Sequence, residues 1–275
     1  MYEFPVSGPI SAAITISAGE VVVTAEECDT ATVTVEPYGD GGDAREAAEQ
    51  TRVTFDDGHL KVETPQSGWI FRRGWRVRVH ARIPSESELR VNAGAADTRA
   101  TGRYATGQIT LASGDLALDE ITGAANVTTA SGAVHIGAVG GDLQLQSAAG
   151  DVTVGSVGGD AMLHTASGHL RVGSLGGSVT ARSAAGHIEL RETRRGRLRI
   201  QSASGDVVIG VVPGTALRMD VSTLSGRTHS DLPVGDTPPA GGGTQLEINA
   251  RTISGNVSIV RAAAAPGKVS TEKVA

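Results

Sequence analysis

Two histidines stand eighteen residues apart, His169 and His187, with Asp151 eighteen residues before the first and Asp206 nineteen after the second. Imidazole nitrogens and carboxylate oxygens together make a donor set for a transition metal. The spacing therefore asks whether one structural unit recurs and brings the four side by side. Asp142 and Asp160 raise the same question for calcium, which takes oxygen ligands. Thr129, Ser147, Thr165, Ser183 and Ser202 form a third recurrent set. A hydroxyl becomes a nucleophile beside a base that a third group orients, and no serine, histidine and carboxylate stand apart from the repetition. Hydroxyls in such positions most simply bond the backbone of a turn.

Two further stretches could meet a partner. SGWIFRRGW (67–75) holds both tryptophans, Trp69 and Trp75, with Arg72 and Arg73 between them. Tryptophan and arginine dominate the binding energy of protein interfaces, so these four are the candidate partner contact. The plainer reading is a hairpin tip whose rings fold over nearby core. RETRRGRLR (191–199) carries five arginines and reads as a solvated edge.

The elements that position these groups follow one clock. Glycines fall at 114, 123, 132, 141, 150, 159, 168, 177 and 186, then at 196, 205 and 214 with one residue inserted. After each glycine the pattern alternates, as in Gly150-Asp151-Val152-Thr153-Val154, which is a short strand with one buried face. Glycine suits the corner because it reaches positive φ without a Cβ clash. The units are of two kinds, one preceded by "AS" or "AA" and the other by "VG" or "LG", so true identity recurs at eighteen residues. One coil then holds two strands and two corners, and a stack of coils is a flattened two-sheet parallel β-solenoid.

The inward set expected on one sheet runs through Leu116, Val134, Val152, Leu170, Ile188 and Val207, and on the other through Leu143, Ala161, Val179 and Leu198. Val139, Val157 and Leu175 are expected to fill one corner, and Ala130, Ala148, Ala166, Ala184 and Ala203 the other. A calcium-binding nonapeptide roll shares the nine-residue period. Its apolar residue lies two after the aspartate, however, whereas here apolar residues lie one and three after it.

The chain divides into three expected parts. Residues 1–90 hold longer alternating strands and one short helix, "DAREAAEQ" (43–50), with Asp43 and Glu46 in capping-box spacing; they read as an antiparallel β cap. Residues 91–261 are the solenoid, closing on "TQLEINARTISGNVSIVR" as terminal rungs, and 262–275 read as a disordered tail. The fold class is thus all-β.

Composition narrows the function. A net charge of −6 argues against the broad basic field of nucleic-acid binders. No run approaches 18 apolar residues, so no membrane-spanning helix is expected. "MYEFPVSGPI" has neither a basic nor an apolar leader region, and Cys28 is the single cysteine, which together point to the cytoplasm. No catalytic, cofactor-binding or metal-binding residues are assigned.

With the repeats in view, the chain resembles the bacterial β-strand-repeat family labelled "putative adhesin", a toast-rack-like domain of unknown function. The resemblance rests on the "ASGD…VGGD" alternation, "GPISAAITISAGEVVVTAEE", "EQTRVTFDDGHLKVETP" and "RTISGNVSIV", and covers roughly residues 3–261. It implies repetitive β structure and an envelope-associated or scaffolding role, with no catalytic residues to carry over. The expected function is a non-catalytic scaffold or protein-interaction module, not an enzyme, with an unidentified protein as partner and no cofactor. The alternatives are a β-helix enzyme acting on polysaccharide and a calcium-stabilised β-roll.

Overall fold

The nine-residue period becomes stacked parallel strands. Val134, Val152, Leu170, Ile188 and Val207 pair successively in register and form one dry column, each at most 2% exposed. In-register stacking buries like against like, so each coil's small aliphatics are covered by those above and below. A lone coil would leave them wet. The computed structural model describes residues 1–64, 75–232 and 245–262.

The chain begins with β1 (Tyr2–Pro5), β2 (Ser11–Glu26), β3 (Thr30–Pro37), α1 (Gly42–Gln50), β4 (Arg52–Asp56), β5 (His59–Glu63), β6 (Val77–Pro84) and β7 (Ser87–Ser113). The regular rungs follow as β8 (Leu116–Ile121), β9 (Ala125–Ser131), β10 (Val134–Val139), β11 (Leu143–Ala149), β12 (Val152–Val157) and β13 (Ala161–Ser167). They continue through β14 (Leu170–Leu175), β15 (Val179–Ala185), β16 (Ile188–Thr193), β17 (Gly196–Ser204) and β18 (Val207–Val211). Last come β19 (Ala216–Ser225), β20 (Thr228–Ser230), β21 (Gln245–Ser254) and β22 (Val257–Arg261). From β8 to β18 the even-numbered strands pair in one parallel stack and the odd-numbered strands in the other. This is the flattened solenoid expected from the sequence.

Glycine is required at these corners for two separate reasons. Gly150 has φ +120°, and a Cβ there would overlap the carbonyl oxygen of Gly132 one coil back. Gly155 lies within β12 and is not in the left-handed region, yet a Cβ would meet the Gly137 oxygen just as closely. The first needs glycine for its dihedral and its space, the second for space alone.

The corner opposite the aliphatic one is built differently from expectation. Thr129, Ser147, Thr165, Ser183 and Ser202 are the buried residues, while Ala130, Ala148, Ala166, Ala184 and Ala203 are exposed. The strand simply alternates for two residues longer, so the hydroxyl position takes the inward place and the alanine the outward one.

Residues 1–90 hold the antiparallel pairings expected, β1 with β3, β3 with β6 and β4 with β5, the last through a tight Asp57–Gly58 turn with both residues at positive φ. Helix α1 packs on β3 and β6 with Ala44 and Ala47 buried. Its N-cap is Gly41, without a side-chain cap, so Asp43 sits in the first turn instead of closing a capping box. The same stretch also contains parallel rungs. β2 pairs parallel with β5 and β6 on one side and with β7 on the other. The expected boundary at residue 90 therefore falls inside a continuous strand, β7. Phe4 and Phe55 stack at 5.2 Å beyond the β5–β6 rung and cover this end of the core.

At the other end, sequence order and spatial order part. β21 and β22 lie directly on β17 and β18, and β19 and β20 lie outside them. The segment expected as the terminal rung is thus the penultimate one. Among the described residues, no helix is long and apolar enough to cross a membrane.

Candidate functional site

A solenoid offers its outward ladders as sites, and the first to test is the one holding the histidines. Every polar side chain in that row, which Ala133 interrupts, reaches the backbone N–H of the next coil's corner. Asp115 Oδ1 accepts from Ala133 N–H at 2.8 Å, Asp151 Oδ1 from His169 at 2.9 Å, and Asp206 Oδ1 from Asn256 at 2.8 Å. The histidines do the same with Nδ1: His169 accepts from His187 at 3.4 Å and His187 from Asp206 at 3.0 Å. The row is brought together as the sequence suggested, but each ring spends a nitrogen on the backbone. No group of three or more His, Cys, Asp or Glu side chains able to hold a metal ion occurs among the described residues.

Asp142 and Asp160 follow the same rule at the opposite corner. Asp142 Oδ1 accepts from Asp160 N–H and Asp160 Oδ1 from Ser178 N–H, each at 2.8 Å. Carboxylates that accept from amides have less need of a cation between them. Four of the five hydroxyls in that row also turn to backbone, donating to the carbonyl two residues on: Thr129 to Ser131 at 3.2 Å, Ser147 to Ala149 at 3.4 Å, Thr165 to Ser167 at 3.0 Å and Ser202 to Ser204 at 3.2 Å, while Ser183 Oγ is buried without a partner among the described residues. That geometry fixes corners and activates no nucleophile.

Of the candidate partner contact, Trp69, Arg72 and Arg73 lie outside the described residues. Trp75 is half-buried and packs against the hydrophobic core at the N-terminal end. In the arginine-rich corner, Arg191 pairs with Glu189 at 2.9 Å, Arg197 with Glu247 at 2.9 Å, and Arg195 Nε donates to the Gly176 carbonyl at 2.7 Å. These three cations are held to the rod itself. Tyr104 is a buried phenol whose hydroxyl donates to the Val23 carbonyl at 2.9 Å, and burial with the nearby Asp119 charge pushes its pKa up. It braces the core and opens onto no groove.

The surface that sequence reasoning missed is a groove of about 1140 Å³ on the odd-numbered stack. Its floor is the outward alanine row, with Ala112 at the start, Ala148 and Ala166 central, and Ala203 towards the end. One wall is the outward row Thr128, Gln146, His164, Arg182, Gln201 and Arg251. Eight coils contribute, so at the usual strand spacing the groove runs about 34 Å along the solenoid axis. No carboxylate lines it. The signal was present in the sequence, because alanine recurs every eighteen residues there, but assigning it inward hid the groove.

Comparison with known proteins places the chain within a family. The family model described as Toastrack DUF4097 matches residues 11–260. No curated protein matches the sequence. Among solved structures, the chain is similar to a "putative adhesin" from Bacteroides fragilis, at 16% identity over 94% of this chain and 95% of that one, with a TM-score of 0.40. It is also similar to a "putative lipid binding protein" from Parabacteroides distasonis, at 13% identity, 94% and 96% coverage and a TM-score of 0.44. A "putative adhesin" from Parabacteroides merdae aligns at 9% identity, 94% and 95% coverage and a TM-score of 0.38.

Proposed function

This chain belongs to the Toastrack DUF4097 family, and we propose that it is a non-catalytic, adhesin-like scaffold that binds an extended segment of a protein partner along its alanine-floored groove. The supporting observation is the make-up of that groove. A small-residue floor admits a main chain closely, and the wall offers amide, hydroxyl, imidazole and guanidinium donors at each coil. Repetition along the axis suits a linear ligand, since each coil repeats nearly the same contact. The alternative of polysaccharide hydrolysis needs a pair of carboxylates across the scissile bond, and the groove lining supplies none. The tryptophan and arginine segment, with Trp69, Arg72, Arg73 and Trp75, is proposed as a second contact.

The test is capture of a binding partner by immobilised protein, followed by the double substitution Ala148→Arg and Ala166→Arg. Both alanines are exposed, so the variant should melt like the parent while its capture of that partner falls at least tenfold. Capture unchanged by the groove variant and lost on Trp69→Ala with Trp75→Ala would move the contact to the second segment. Capture indifferent to both would overturn the reading.

A further inference from the structure

The two ends of the solenoid are finished differently. At the N-terminal end the last parallel rung is covered by antiparallel β3 and β4, and α1 and the Phe4–Phe55 stack lie over the core. At the C-terminal end the outermost strand, β19, pairs with β21 on one side, and no described residue pairs with its other side. Its inward residues Leu217, Met219 and Val221 are only half-buried, whereas Leu246, Ile248 and Ala250 beneath them are fully buried. β19 is ten residues long and contains no proline, and its two outward charges, Arg218 and Asp220, are of opposite sign, so they do not repel a like strand the way a single-sign edge does.

We propose that β19 is the docking edge for a second copy of this chain, which pairs with it antiparallel about Met219. The charge pattern selects that occupant and that register. The segment reads Leu217-Arg218-Met219-Asp220-Val221, apolar, basic, apolar, acidic, apolar. In an antiparallel pair of identical strands, opposite residues must share a face, so the two-fold axis passes through a residue and not between two. Centred on Met219, the pairing sets Arg218 opposite Asp220 of the partner subunit, and Asp220 opposite Arg218 of the partner subunit. On the inner face Leu217 then meets Val221 of the partner subunit.

Neighbouring registers fail on the same residues. Centring on Arg218 or on Asp220 opposes like charges, and centring on Val221 sets Arg218 against the partner subunit's Leu224. Arg218 has no ion-pair partner within its own chain among the described residues, and Asp220 is held loosely, by Asn249 Nδ2 at 3.3 Å and Arg251 at 3.7 Å. Both charges are exposed and face outward on the edge strand. The pairing would continue the odd-numbered stack across the two-fold and cover the half-buried Leu217, Met219 and Val221. The inference is independent of the groove, which lies on the outer face and stays open in such a dimer.

Sedimentation velocity and light scattering over a concentration series test it. The expected result is a concentration-dependent dimer. Asp220→Arg should shift the midpoint at least tenfold towards monomer with melting unchanged, and adding Arg218→Asp should restore the dimer. Met219→Cys in a Cys28→Ser background should form a disulfide-linked dimer on mild oxidation, while Ala133→Cys, outward in mid-solenoid, should not. A native chain that stays monomeric at all concentrations overturns the proposal. So does a dimer that ignores Asp220→Arg and leaves Met219→Cys uncross-linked.

Discussion

His187 lies over His169 with ring centroids 4.9 Å apart and planes 11° from parallel, and its backbone N–H donates to the Nδ1 of His169 at 3.4 Å. Aspartate does the same work on neighbouring coils, and Asn256 does it one position further, accepting the Arg227 N–H through Oδ1 at 3.0 Å. Except at Ala133, what the row keeps along the axis is an acceptor at fixed reach, not a charge. His187→Asn keeps an acceptor and should leave the melting temperature nearly unchanged. His187→Leu removes it from the Asp206 N–H at 3.0 Å and should cost about 0.5–1.5 kcal/mol. At this chain length that is a fall of about 1–6 °C. Equal melting of the two variants in calorimetry would show the acceptor to be idle.

Gly150 and Gly155 separate dihedral strain from crowding. Gly150→Ala incurs both, because φ is +120° and the Gly132 oxygen occupies the Cβ position. Gly155→Ala meets the Gly137 oxygen without the positive φ. Positive-φ strain alone costs about 1–3 kcal/mol, so Gly150→Ala should be the more damaging of the two. Gly8→Ala, where nothing lies within 4 Å of the added carbon, should melt like the parent. Urea titrations of the three variants give the ranking directly.

Tyr104 gives the molecule an alkaline limit. Burial and the Asp119 charge favour the neutral phenol, so its pKa in the folded chain lies above that of the unfolded chain. A group of that kind binds more protons folded than unfolded at alkaline pH, so its contribution is complete below about pH 10 and is lost as pH rises beyond. Tyr104→Phe should lower stability at neutral pH by about 1–3 kcal/mol, since the Val23 carbonyl at 2.9 Å loses its donor. It should also flatten the decline above pH 10. A parallel pair of pH–stability curves would contradict this.

These effects show which parts of the fold were legible and which were not. The column from Val134 to Val207 could be written down from the glycine period, because an in-register stack makes sequence spacing equal to spatial neighbourhood. Ala148 was assigned to the inward face, since it is small and the corner was expected to end the alternation at Leu145, two residues before the inward Ser147. The groove disappeared with that choice. β2 was hidden for another reason: its coil lies before the repeat begins, and the chain makes a long excursion before β7 returns to pair with it. The roles of Asp142 and Asp160 were beyond sequence reading, because an aspartate capping the next coil's amide and one awaiting a cation have the same spacing.

Spatial order at the C-terminal end makes a last, sharper prediction. β21 lies between β17 and β19, with partners on both edges, although it is synthesised after β19. Its inward residues Leu246, Ile248 and Ala250 are 0% exposed, whereas Met219 in β19 is covered from one side. Ile248→Ala should therefore cost about 2–5 kcal/mol and unlatch β19 as well, since β19 has no other described neighbour in its stack. Met219→Ala should cost less and leave β21 in place. Amide exchange followed by mass spectrometry, run on Asp220→Arg to keep the outer edge open, should find 246–250 slower to exchange than 217–221. In Ile248→Ala both segments should exchange fast, and in Met219→Ala only the outer one. If 217–221 stayed protected when 246–250 did not, the outer strand would be anchored elsewhere, and the order β17, β21, β19 would be wrong.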